Sequence, residues 1–303
     1  MYDYIKGLII SQALANKLLN NKLLEFHETK NLRTMKVSGK RVAELHGLKF
    51  RVYDSGAIII TGSLHKFYNS LYGDIQSNCD IFTLSKLLAV LDFFHEDLEI
   101  NPNEVIIRNL EFGFNIVTEI AVKEIIARII TYKGKPFSRM KNLNSSRIDG
   151  IEYYASEFAV KIYDKFLQYY LDGNVLRFEK KILKMRNQFN QEITLMDLAK
   201  HEVWESCLVS LHKCIDELII IEPLNISLTI AEQEKYDFCS NPLNWATMSK
   251  EARRSNKKST NTIIEKYGEY QIKKMLKQLI DETFIYAYHG GDNILENTFS
   301  PLM

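Results

Sequence analysis

Alternation of apolar and polar residues organises much of this chain and predicts a sheet before anything else is considered. Residues 2–12 begin Y-D-Y-I-K-G-L-I-I and predict a strand with Asp3 near its start. Leu48–Tyr53 and Ala57–His65 predict a hairpin closed by Asp54-Ser55-Gly56, a strong turn signal. From Val105 to Ile116 the period is two: Leu110, Phe112, Phe114 and Ile116 fall on one face, and Asn109, Glu111, Gly113 and Asn115 on the other. Two further strands are expected at Tyr154–Lys165 and Val175–Lys184. Elsewhere the period changes to that of a helix. Thr83 caps a segment with Leu84, Leu87, Leu88, Leu91 and Leu98 on one side, which Asn101-Pro102-Asn103 ends. Thr118 is expected to cap a second helix running to about Thr131, and Thr194–Ile221 reads as one long helix with Leu195, Leu198, Val203, Leu211, Ile215 and Leu218 inward. Residues 133–150, rich in Lys, Ser, Asn and Gly, read as a flexible loop. Two helical segments are expected beyond Pro223, the last from about Thr260 to Tyr288. Together these predict an α+β layer, an antiparallel sheet covered by helices, with a helical C-terminal region after a soft boundary near 225.

The polar faces carry the candidate chemistry. In the Tyr154–Lys165 strand, Lys161 and Tyr163 oppose Val160 and Ile162. In the following strand Arg177, Glu179 and Lys181 oppose Leu176, Phe178 and Ile182. A carboxylate flanked by cations near tyrosines suits phosphodiester chemistry: the carboxylate can hold a divalent metal, the cations can hold phosphate, and a phenol can attack phosphorus. The same pattern also describes an amphipathic hairpin with a solvated polar face. Glu111 has the same duality, standing beside Gly113, which permits close approach of backbone or ligand.

Composition narrows the class. The chain has 303 residues, 46% hydrophobic and 25% charged, enough for a large core and either two domains or one large domain with an appendage. No apolar run approaches the length of a membrane span, and the N-terminus lacks a signal-peptide pattern, so a cytoplasmic protein is expected. Cys79, Cys207, Cys214 and Cys239 show no zinc spacing and read as buried thiols. The net charge of +1 is uninformative. Its distribution says more: between Lys133 and Arg186 basic residues outnumber acidic ones, and Arg253, Arg254, Lys257 and Lys258 form a second cluster in a Ser/Asn-rich stretch ahead of a helix. Local positive fields of this kind suit phosphate backbones.

Tyr163-Asp164-Lys165 followed by Leu176-Arg177-Phe178-Glu179 resembles the phage and plasmid rolling-circle replication initiators, in particular the filamentous-phage replication endonuclease group, with a phage X-like C-terminal region. Gly62-Ser63-Leu64-His65-Lys66-Phe67-Tyr68-Asn69, Leu110–Ile116 and Asn241-Pro242-Leu243-Asn244-Trp245 resemble the same group in the same order. The resemblance implies a replication-initiator endonuclease domain over 1–225 and a helical region over 226–303. It implies a metal-dependent enzyme that nicks one DNA strand at an origin through a 5′-phosphotyrosine and rejoins it, without ATP. The expected nucleophile is Tyr154, then Tyr153, then Tyr163. The expected metal, magnesium or manganese, falls to Glu111 and Glu179, with Asp3 and His65 as further donors. No His-apolar-His pair is present, which points to oxygen-rich ligation. Lys161, Lys165, Arg177, Arg253, Arg254, Lys257 and Lys258 are the expected DNA contacts. Origin DNA, duplex and single-stranded, is the implied partner, together with a host helicase and polymerase in a bacterial cytoplasm; the protein itself would be a monomer or homodimer. The rival reading is a non-catalytic DNA-binding regulator on the same fold.

Overall fold

A computed structural model of the chain describes residues 1–30, 33–34, 37–73, 77–141 and 149–290. A ten-stranded sheet runs through its centre. In chain order the strands are β1 (Tyr2–Ile10), β2 (His27–Lys30), β3 (Val37–Leu45), β4 (Leu48–Tyr53), β5 (Ala57–Ser63), β6 (Ile106–Val117), β7 (Ile129–Tyr132), β8 (Lys135–Pro136), β9 (Ser138–Arg139), β10 (Gly150–Tyr154), β11 (Phe158–Asp164), β12 (Val175–Ile182) and β13 (Leu218–Ile220). The large sheet has the order β2-β3-β4-β5-β1-β6-β12-β11-β10-β9, and β13-β7-β8 make a small second sheet. Every pairing in both sheets is antiparallel. The helices are α1 (Gln12–Leu19), α2 (Leu64–Tyr72), α3 (Leu84–Glu96), α4 (Val122–Arg128), α5 (Lys165–Gln168), α6 (Met185–Phe189), α7 (His201–Asp216), α8 (Ile230–Ser240), α9 (Pro242–Thr247), α10 (Lys250–Tyr267) and α11 (Ile272–His289).

One face of the large sheet is the core. Phe50, Ile60, Ile5, Phe112, Phe114 and Phe178 point into it and meet Leu91 and Phe94 of α3, Trp204 and Leu211 of α7, and Leu276 and Ile280 of α11. Tyr2 meets the Trp204 ring edge-on at 5.3 Å. Each such side chain contributes about 1.5–3 kcal/mol by leaving water, which fixes the register: a one-residue slip would bring the charged face inward. The predicted alternation in β6, β11 and β12 is therefore realised. The β4–β5 turn follows its sequence as well, with Gly56 at φ +76°.

Several boundaries differ from the sequence reading. Thr118 does not cap a helix; its hydroxyl donates to the Ile120 carbonyl, and α4 begins at Val122 without a side-chain cap. The long helix expected over 194–221 is a short 3₁₀ turn, then α7, then β13. Glu217 closes α7, and the β-branched run Ile219-Ile220 pairs with β7. The loop expected at 133–150 contains β8 and β9, and residues 142–148 lie outside the described residues. Beyond Pro223 there are four helices among the described residues, α8 to α11, and the Ser/Asn-rich basic stretch is itself helix α10. Among the described residues no named strand follows β13, and a division near 225 remains our proposal for the chain's organisation. Across that point Glu222 is buried, and its carboxylate accepts the amides of Tyr270 (3.0 Å) and Ile272 (2.7 Å) at the start of α11. That helix has no side-chain cap of its own, because Gln271 in the left-handed conformation precedes it.

Candidate functional site

The face opposite the core carries three aligned rungs. Antiparallel pairing sets Tyr154, Ala159, Lys181 and Glu111 side by side on β10, β11, β12 and β6. The next rung is Glu152, Lys161, Glu179 and Gly113, and the third is Gly150, Tyr163, Arg177 and Asn115. A bulge on β1 between Tyr2 and Ile5 adds Asp3 and Tyr4 beside Glu111. An extra residue of this kind re-aims side chains, and here it lets Asp3 join the same face. Gly113 has the reason the sequence suggested: a Cβ there would lie 2.1 Å from the Phe178 carbonyl and 2.7 Å from Glu179 Cβ. The gap lets β12 bring Glu179 in close.

Asp3, Glu111 and Glu179 are all buried, and one carboxylate oxygen from each lies within 4.8 Å of the others. Among the described residues this is the one group of three or more such side chains able to hold a metal ion. The carboxylates do not stand alone. Lys161 Nζ lies 3.0 Å from both Glu111 and Glu179. Arg177 Nε donates to Glu179 at 3.0 Å, and its Nη1 approaches the Gly113 carbonyl (3.4 Å) and Asn115 Oδ1 (3.3 Å). Arg177 Nη2 is buried with no hydrogen-bond partner, 3.8 Å from Asp3. Asp3 is held from behind by the Ser63 hydroxyl and by Asn78 Nδ2 at 2.8 Å.

Titration follows from this packing. Burial, reinforced by the Glu179 charge, raises the Glu111 carboxyl to about 7. Burial acts on Glu179 in the same sense but is outweighed by Lys161 and Arg177, so its carboxyl lies below the usual range. Asp3 is likewise lowered, its burial overcome by Arg177 and Lys165. Burial opposes the charge on Lys161, yet the two glutamates hold it above its ordinary value.

The three tyrosines separate cleanly. Tyr154 is 59% exposed on the carboxylate face, and its hydroxyl donates to Glu152 Oε2 at 3.1 Å. Burial and that hydrogen bond raise its pKa. Tyr153 points the other way and packs on Tyr132 (centroids 4.8 Å) and Phe158, so it is removed from the site; adjacent strand residues face opposite sides. Tyr163 is on the carboxylate face with its hydroxyl 3.5 Å from Glu179, but it is buried, and that burial, with the Glu179 charge, lifts its pKa well above the ordinary value.

Other expected residues move to new roles. His65 is not at a strand end: Ser63 caps α2, and His65 lies buried in that helix's first turn, with Nε2 2.7 Å from Asp80. It is not among the clustered metal donors. Arg177 is internal to the carboxylate network rather than a surface contact. Lys165 is buried too, bonded to Asn78 Oδ1 at 2.7 Å, and burial with the nearby Arg177 charge lowers it to about 8. In α10, Arg253 donates to the Trp245 and Ala246 carbonyls and Lys257 pairs with Glu217 at 2.7 Å, leaving Arg254 and Lys258 as the exposed cations of that cluster. Sequence reasoning missed Asn78, Ser63 and Glu152. Glu152 could have been found from its period-two spacing to Tyr154; the other two approach from distant elements.

No protein-family model and no curated protein sequence matches the chain. Among solved structures it is similar to a rolling circle replication initiator protein from Geobacillus stearothermophilus. The likeness has a TM-score of 0.37 and 13% identity, and covers 62% of this chain and 75% of that one. A likeness of that size carries no argument about fold or function. Among the described residues no helix is long and apolar enough to cross a membrane.

Proposed function

We propose that the protein is a metal-dependent, site-specific DNA nicking and strand-transfer enzyme that starts rolling-circle replication. The observation that carries this reading is the carboxylate trio Asp3, Glu111 and Glu179, converging on a sheet face that also presents an exposed tyrosine. The motif order resembling the replication initiators supports it. Three buried carboxylates form a hard, oxygen-only donor set, which fits magnesium or manganese. The fit has a condition: Lys161 bridges two of the three, so its ammonium must leave when a dication arrives. Its side chain is long and 18% exposed, which allows it to move. When bound, the ion supplies charge neutralisation at the phosphate undergoing substitution.

The chain's own residues would do the rest. Tyr154 is the nucleophile. Glu152, already accepting its hydrogen bond, takes the phenolic proton as the Tyr154 oxygen bonds to phosphorus. The phosphorus–O3′ bond breaks, and the departing oxygen takes up a proton to become a free 3′-hydroxyl from which a host polymerase extends. The 5′ end stays on Tyr154, and reversal of the same exchange rejoins the strand. Ala159, the small residue between Tyr154 and Lys181 on their rung, leaves the tyrosine free to lean toward the carboxylates. Arg177 acts from inside the face, holding Glu179 through its Nε and standing 3.8 Å from Asp3 through its buried Nη2.

The test is mass spectrometry of protein incubated with single-stranded origin oligonucleotides and manganese. A phosphotyrosyl adduct on Tyr154 is expected, and its absence across all candidate origins would refute the enzymatic reading. A regulator without cleavage is the second reading. It is favoured by the Lys161 and Arg177 pairs, which already balance much of the carboxylate charge.

A further inference from the structure

Resting on the reading above, we propose that the sheet face on the far side of β6 is a single-stranded DNA track, with Tyr4, Lys6, Lys49 and Arg51 as its binding residues. Buried and half-exposed residues alternate strictly along β4 and nearly so along β1. The buried set belongs to the core, so the half-exposed set faces outward: Tyr4, Lys6 and Leu8 on β1, Lys49, Arg51 and Tyr53 on β4.

Register gathers the cations. Lys49 and Lys6 flank Thr61 on one rung that continues to Asn109, and Arg51 Nη1 donates to the Thr61 hydroxyl at 2.9 Å. The facing charges from β3 are Lys40 and Glu44, and Glu44 lies 3.5 Å from Lys49. Positive charge therefore exceeds negative on this half of the face. Lys6 has no ion pair among the described residues. Tyr4 joins the patch to the carboxylates: Lys181 Nζ sits 4.4 Å above its ring and 3.6 Å from Glu111.

The surface is suited to an unpaired strand. From β6 across β1 and β5 to β4 is three inter-strand steps, about 14 Å, along one face of the sheet. A tyrosine ring can stack on any base, and cations spaced along the path neutralise phosphates without reading sequence. A duplex, by contrast, offers phosphates to the cations but keeps its bases paired and stacked on one another, with none free to lie on Tyr4.

The experiment uses the full chain carrying Tyr154→Phe, without metal, and a labelled oligonucleotide of about 12 nucleotides, within the usual span of such sites. Fluorescence anisotropy is followed against salt. The triple variant Lys6→Ala, Lys49→Ala, Arg51→Ala should bind more weakly and lower the steepness of log K against log salt by about 2, at about 0.7 per single-strand phosphate. The charge-keeping set Lys6→Arg, Lys49→Arg, Arg51→Lys should retain the slope, which separates charge loss from misfolding. Tyr4→Leu should weaken binding roughly tenfold with the slope unchanged. Unchanged affinity and slope in the triple variant overturns the track, and so does a larger loss on duplex than on single strand. The catalytic reading fails separately. If wild-type protein forms no adduct while the triple variant still loses binding, the track stands without it. If the triple variant forms adduct as readily as wild type at limiting DNA, the track falls and the chemistry stands.

Discussion

The carboxylate face and the basic turn of α10 are both clusters of charge, and they are built in opposite ways. On the sheet, Asp3, Glu111, Glu179 and Arg177 are buried and Lys161 is partly buried, and each is tied to others of the set by contacts of 3.0 to 3.8 Å. On α10, four cations follow one another on a helix, and each finds its surroundings separately: two are committed to the protein and two face solvent. Charges in the first set act as a unit, because in a low-dielectric setting removing one changes the titration of the rest. Charges in the second are screened and nearly independent.

The largest effect that would break this contrast is at Glu179. Glu179→Gln removes the charge shared by Lys161 and Arg177, so stability should drop by about 3 kcal/mol and adduct formation should fall by orders of magnitude. Denaturant unfolding and the trapping assay measure the two; normal trapping would show that Glu179 is no ligand. Tyr154→Phe should abolish the adduct while leaving the melting temperature unchanged, whereas Tyr153→Phe should keep the adduct. The reverse outcome would mean that the strand faces are misassigned. Lys161→Gln should tighten manganese binding measured by calorimetry, since a competing cation is gone. Weaker binding would instead make Lys161 a support of the site. Arg254→Ala with Lys258→Ala should cost little: stability unchanged, and the salt slope of duplex binding lower by at most about 2. An effect as large as at Glu179 would erase the distinction.

Acid supplies one more probe, at the His65–Asp80 pair beside the carboxylate face. Burial keeps His65 below its ordinary pKa in the fold although Asp80 opposes this, and His65 and Lys86 overcome the burial of Asp80 to hold its carboxyl below the usual range. The unfolded chain therefore binds protons at both sites more readily than the folded one. The His65 part of this stability is present above about pH 6.5 and is lost as pH falls below that value, and the Asp80 part is present above about pH 4 and is lost only on further acidification. Melting temperature against pH should flatten in Asp80→Asn; an unchanged slope would assign acid sensitivity elsewhere.

What was legible in the sequence follows the same division. The faces of β6, β11 and β12 were readable because Phe112, Phe114 and Phe178 can only go inward, and that choice dictates where Glu111 and Glu179 point. The separation of Tyr154 from Tyr153 was implicit in the same rule, yet it needed the register with β11 to become visible. Asp3 required a bulge, which alternation does not announce. His65 was misread because Ser63 converts the end of a strand into a helix cap. The basic cluster was misplaced because Ser and Asn near a proline-containing stretch mimic a loop, while Ser249 in fact caps a helix of 18 residues.

Glu222 holds the start of α11 from 50 positions earlier in the chain. A helix whose first turn depends on so distant a carboxylate cannot complete that turn until the small sheet and the chain leaving it are in place. The amides of Tyr270 and Ile272 thus become natural reporters of docking. Their hydrogen exchange should slow only when α11 is seated, and should quicken together in Glu222→Ala while the amides of β6 remain protected.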